Sequence, residues 1–261
     1  MGCACSTSRE QGDLTSEELL KTYEDSLGWG DFSAVKIAVE VEAAGDKDFL
    51  QGQMERLLTN MRVRLPDFRD KSNPLTSLYN CLRTRNRYSR AKLALLGVLL
   101  GKGSNERKCG VIDKFYRGTF SETDLSVLVP DLCDLALTYL PMYTCSELEY
   151  VQDAAAVAKL GKYQRKLDRA KGALIAFLQQ RLAPDRESLL LVGELQTRLA
   201  DEAVQSLFSA RRLRTLATSL PVDGSKPHTL SMLKTPYLSP SASPRSRRTS
   251  RFLTEEIVIK P

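Results

Sequence analysis

A chain of 261 residues, 42% hydrophobic and 27% charged, carries enough apolar surface for a sizeable core, which excludes a wholly disordered protein. Its formal charge of +6 suits an anionic partner such as a membrane surface. Its single histidine, His228, excludes histidine acid–base catalysis and leaves no clustered ligands for zinc.

The chain opens Met1-Gly2-Cys3-Ala4-Cys5-Ser6. With Met1 removed, Gly2 becomes an unhindered α-amine and Ser6 fills the Ser/Thr position of an N-myristoylation site. One myristoyl chain holds a membrane only marginally, with K of roughly 10⁴ M⁻¹, so stable anchoring takes a second signal. Cys3 and Cys5 are placed to supply it by S-palmitoylation. The stretch has neither the apolar core nor the basic start of a secretory signal. Residues 1–14 are therefore expected to be an acylated, flexible leader.

A helical domain is expected over 15–218. Thr15 and Glu18 form a capping box, starting a helix that runs to Leu27, and Gly28-Trp29-Gly30-Asp31 reads as a turn. Val35 to Val41 alternates like a strand, yet Ala43 and Ala44 continue it to Gly45 as a helix, and no partner strand is evident. Phe49, Leu50, Met54, Leu57, Leu58 and Met61 share one face of a helix from about Asp48 to Val63. Another starts after Pro74 and runs to about Arg85. The apolar run Leu93–Leu100 is far shorter than the ~20 residues of a membrane-spanning helix and reads as a core helix. Pro130 is expected to restart a helix at its first turn, and Ser146 with Glu149 to cap a new one. Gly161 and Gly172 are expected to interrupt the stretch that follows, and a last helix or helix pair covers Leu189 to Leu216. Cys81, Cys109, Cys133 and Cys145 have no Cys-x-x-Cys pairing and read as free thiols of a reducing compartment.

From Ser219 onward, prolines, serines and basic residues predominate, and 219–261 is expected to be a disordered tail. Thr235, Ser239 and Ser243 each precede proline, and Ser250 follows Arg247-Arg248, so all four are candidate phosphorylation sites. The apolar Phe252–Ile259 reads either as a short docking peptide or as a frayed end.

The stretch from Asp113 to Asp124 resembles an EF-hand loop of the calmodulin-like superfamily. Asp113 falls at position 1, Gly118 at 6, Phe120 at 8, Ser121 at 9 and Asp124 at 12. Positions 3 and 5 are Phe115 and Arg117, which offer Ca²⁺ no carboxylate. A fainter match over 183–194 places Asp185, Glu187, Leu190 and Glu194 at 3, 5, 8 and 12. The resemblance implies a degenerate EF-hand lobe whose groove holds a partner helix without metal. The leader is similar to those of acylated Ca²⁺-sensor-type proteins, including flagellar ones. A weak Ca²⁺ sensor is the alternative it implies.

Three basic clusters stand out: Arg83, Arg85, Arg87, Arg90 and Lys92; Lys159, Lys162, Arg165, Lys166, Arg169 and Lys171; and Arg245, Arg247, Arg248 and Arg251. Each suits anionic lipid, at about 1 kcal/mol per residue near the surface. No nucleic-acid motif accompanies the charge. Phosphates in the tail, at about −1.5 to −2 charge each, would cancel its pull on lipid. The sequence has no Gly-x-Ser-x-Gly elbow, phosphate-binding Gly-Lys-Ser/Thr loop, kinase signature or His-Glu-x-x-His. An all-α, non-enzymatic adaptor without cofactor or metal is expected. It would be held by its acyl chains and basic patches on the cytoplasmic face of a membrane, plasma or flagellar, and would bind a protein partner.

Overall fold

Thr15 opens the body with the expected capping box: its hydroxyl accepts from the Glu18 N–H, and the Glu18 carboxylate accepts from the Thr15 N–H at 2.7 Å. The computed structural model describes residues 14–116, 122–182 and 192–221. All of these lie in one unit, Met1–Lys226, and the second unit, Pro227–Pro261, falls outside the described residues.

The fold is all-α. Helix α1 (Ser16–Ser26) leads through a 3-10 turn at Trp29–Asp31 into α2 (Ala34–Ala43), so the Val35–Val41 alternation is helical. Ser33 caps α2 by accepting from Lys36 N–H at 3.1 Å. Helix α3 (Gln51–Met61) ends where Arg62 turns left-handed at φ 54°, four residues before Pro66.

Helix α4 (Pro74–Cys81), capped by Asn73, stops short of Arg85. The remainder of that expected helix is a small hairpin of β1 (Arg83–Thr84) and β2 (Arg87–Tyr88). Arg85 and Asn86 both have positive φ, at 50° and 65°. Such a two-residue turn needs positive φ at both positions, and a helix forbids it.

Helix α5 (Arg90–Leu100) is the central strut, buried from Leu93 through Leu99. It packs on α2 and on α6 (Asn105–Tyr116). Contact with α2 is close because Gly97 and Gly101 stand one turn apart. A Cβ on Gly97 would lie 2.7 Å from Ile37 Cγ2, and one on Gly101 would lie 3.1 Å from both the Ala34 nitrogen and Ile37 Cδ1.

A continuous helical rod follows: α7 (Glu122–Cys133), a π-helical segment (Asp134–Tyr139) and α8 (Leu140–Tyr150). Pro130 lies inside α7, so it restarts nothing, and Ser146 lies inside α8, so it caps nothing. The break comes later, where Asp153 caps α9 (Ala154–Leu182) by accepting from Ala156 N–H at 3.0 Å. Helix α9 runs 29 residues without interruption, and open space surrounds both Gly161 and Gly172. The chain ends its described course with α10 (Val192–Thr197), α11 (Glu202–Gln205), a 3-10 turn at Ser206–Phe208 and α12 (Ala210–Ser219). One core extends from Leu27 to Ala217. A smaller cluster of Leu20, Leu148 and Leu160 seats α1 on α8 and α9. No helix among the described residues is long and apolar enough to cross a membrane.

Candidate functional site

The sequence-predicted residues fall into two groups. Gly2, Cys3, Cys5, Gly118, Phe120, Asp185, Glu187, Thr235, Ser239, Ser243 and Ser250 lie outside the described residues. Asp113 lies in α6, Asp124 in α7 and Glu194 in α10. Residues 113–116, assigned to the first four positions of an EF-hand loop, are therefore helical. The rest of that loop, 117–121, falls outside the described residues. Among the described residues no group of three or more His, Cys, Asp or Glu side chains is placed to hold a metal.

What the fold does bring together is a clamp at the base of the leader. Arg214 on α12 is fully buried. Its Nη1 donates to Glu24 at 2.6 Å, and its Nε and Nη2 donate to Glu17 at 2.9 and 3.0 Å. Glu17 also accepts from the Tyr163 hydroxyl on α9. A further bond runs from Arg214 Nη1 to the Ala136 carbonyl at 3.3 Å.

The π segment explains that last acceptor. Leu140 N–H bonds five residues back to Leu135. In that register the partner of Ala136 would be residue 141, which is a proline and has no N–H to give. The carbonyl left over is satisfied by Arg214. Burial pushes the Glu24 carboxyl up, against the pull of the neighbouring guanidinium. Arg214 stays firmly charged, because both carboxylates oppose its desolvation.

None of the three basic clusters singled out in the sequence includes Arg214. A signal is present nonetheless: Ala210, Leu213, Arg214 and Ala217 share one face of α12, all buried. Glu24 likewise sits in register between the buried Leu20 and Leu27.

The clamp fixes the start of the described body. Leu14, the first described residue, accepts through its carbonyl from the Lys159 ammonium. Glu18 is pulled below its usual range first by its bonds to Thr15, then by the charges of Arg211 and Lys159. Helix α1 lies against α9 here: Glu17 meets Tyr163, and Leu20 packs on Leu160.

Beside this point lies the second basic cluster. Helix α9 buries Leu160, Leu167, Ala170, Leu174, Leu178 and Leu182 on one side. It exposes Lys162, Arg165, Lys166 and Arg169 on the other. Asp168 is the only acidic residue on the helix. Lys171 faces inward, 2.6 Å from Asp134.

The first basic cluster divides. Arg83, Arg85 and Arg87 are exposed on the hairpin. Arg90 donates to the Asp46 carbonyl at 2.6 Å, and Lys92 pairs with Asp131 at 3.3 Å. The third cluster lies outside the described residues.

No protein-family model, no curated protein and no solved structure matches the chain.

Proposed function

We propose that the chain is a peripheral membrane adaptor, acylated at Gly2 and at Cys3 or Cys5, that rests on the cytoplasmic leaflet and binds a protein partner without catalysing a reaction. The observation that carries this reading is the position of Leu14. Its bond to Lys159 makes the leader emerge beside the exposed Lys162, Arg165, Lys166 and Arg169 of α9. An acyl chain inserted at that point brings those four cations to the headgroups. Each is worth about 1 kcal/mol against an anionic leaflet, and one myristoyl chain alone is marginal. The tail adds regulation: phosphates at Thr235, Ser239, Ser243 or Ser250 would offset the charge of Arg245, Arg247, Arg248 and Arg251.

The test is fractionation of cells expressing the full chain with a C-terminal tag, alongside Gly2→Ala and a Cys3→Ser/Cys5→Ser double variant, with intact-mass measurement of the N-terminus. Wild type in the membrane pellet with both variants soluble is the expected result. A soluble wild type with an unmodified N-terminus overturns the proposal.

A further inference from the structure

The two most exposed large apolar side chains in the described body are neighbours. Tyr150 is 77% exposed and Val151 is 59% exposed, at the corner where α8 ends and α9 is about to begin. Gln152, the next residue, has φ 61°, and Gln152 N–H closes the turn onto the Glu149 carbonyl at 3.0 Å. Asp153 is taken up in capping α9. A fixed turn thus holds an aromatic and a β-branched side chain in water, where neither has a folding role. Beyond the corner, α9 presents the small exposed side chains Ala154, Ala155 and Ala158 before its cations begin.

We propose that this corner is a membrane wedge, which inserts Tyr150 and Val151 at the headgroup level of an anionic bilayer while the cationic face of α9 lies along its surface. The inference rests on the lipid-facing role assigned to α9 above. Three features support it. Tyr carries an apolar ring with a polar tip, the combination that settles at a membrane–water interface. The exposed basic stripe starts at Lys162, eight residues or about 12 Å along α9 at 1.5 Å each, and Leu14 is bonded to Lys159 beside it. The corner also follows the rod and the clamp without a flexible joint: Leu148 packs on Leu20 and Leu160, two turns or less from the clamp residues Glu17 and Tyr163. The stripe, with Leu14 beside it, and the wedge therefore make two contacts set apart along the body. Two separated contacts restrict the swivel of the body on the bilayer that a leader alone leaves free. Glu149 is the exposed acid beside the wedge, and its charge opposes the anionic surface that the cations of α9 attract.

The experiment uses the full chain carrying Gly2→Ala, so that no myristoyl chain contributes, with phosphatidylcholine vesicles containing or lacking phosphatidylserine. Adding Tyr150→Trp reports insertion through quenching by brominated acyl chains. The parent chain, whose only tryptophan is the buried Trp29, gives the background. Phosphatidylserine-dependent quenching above that background is expected. In cosedimentation, Tyr150→Ser/Val151→Ser should weaken binding about tenfold, and Lys162→Ala, Lys166→Ala and Arg169→Ala should each weaken it about fivefold. All of these positions are exposed, so helicity by circular dichroism should not change. A Tyr150→Trp chain whose emission is quenched no more than the parent's, or a double serine variant that binds as tightly as the parent, overturns the wedge. The two readings fail separately. A wild-type chain that is acylated and membrane-bound in cells, with an inert corner, leaves the anchor standing and removes the wedge. Quenching of the Tyr150→Trp chain alongside an unacylated, soluble wild type removes the anchor and leaves the wedge.

Discussion

Arg214 and Glu24, 190 residues apart in sequence, are joined by a bond of 2.6 Å that neither solvent nor a surface loop interrupts. Removing one partner of a buried ion pair leaves the other desolvated and uncompensated, at about 3–5 kcal/mol. Arg214→Met should therefore lower the unfolding free energy by about that amount, as read by urea denaturation near neutral pH. Adding Glu24→Gln to Arg214→Met should restore part of the loss, because the orphaned carboxylate is then gone. Strictly additive losses would show that the pair is not coupled.

Gly97 should not accept a methyl group. The added Cβ would meet Ile37 Cγ2 at 2.7 Å, so Gly97→Ala should destabilise by about 1–3 kcal/mol, the usual range for overpacking. Ile37→Ala removes the obstructing atom. The double variant should therefore be more stable than the sum of the two single losses predicts.

Trp29 is fully buried and its indole N–H donates to the Tyr79 hydroxyl at 3.0 Å. Tyr79→Phe leaves that donor without its partner, which costs about 1–3 kcal/mol. Thermal unfolding should shift downward, and the emission of this single tryptophan should shift in the native state. An unchanged native spectrum would mean that the bond is not made in solution.

Lys108 gives a pH dependence with a defined sign. Its ammonium is buried, donates to the Phe208 carbonyl at 2.8 Å, and is lowered from 10.5 to about 8, mostly by burial and further by the charge of Arg212. Between those two values the unfolded chain binds more protons than the folded one, so stability rises with pH. The wild type should gain about 1–2 kcal/mol over Lys108→Met between about pH 8 and pH 10. Subtracting the variant cancels the tyrosine and thiol ionisations common to both chains. A difference that stays flat across that window would place the lysine in water.

Much of the helical body is legible because local signals agree with tertiary packing. Thr15 and Glu18 mark the first helix start, and the apolar spacing from Phe49 to Met61 locates α3 to within a few residues. The failures share a cause: residues that usually break helices read as breaks. Pro130 sits inside α7, and Gly161 and Gly172 sit in α9 because packing along the leucine stripe outweighs about 1 kcal/mol each of lost propensity. The Arg83–Tyr88 hairpin escapes a sequence reading because it hinges on left-handed backbone at Arg85 and Asn86, where only asparagine gives a hint. At the candidate site, the cations of α9 are visible as a helical face. The clamp is hidden because its members are separated by up to 197 residues, and a charge within an apolar face reads as a surface residue until its partner is found.

The clamp also orders events in time. Glu17 is made early and Arg214 near the end of the described body. At roughly 5–20 residues per second on the ribosome, the 197 residues between them take about 10–40 s to appear. Throughout that interval α1 has no guanidinium to dock on. Closure of the clamp would come afterwards, fixing the leader's base only once the helix that faces it has been synthesised.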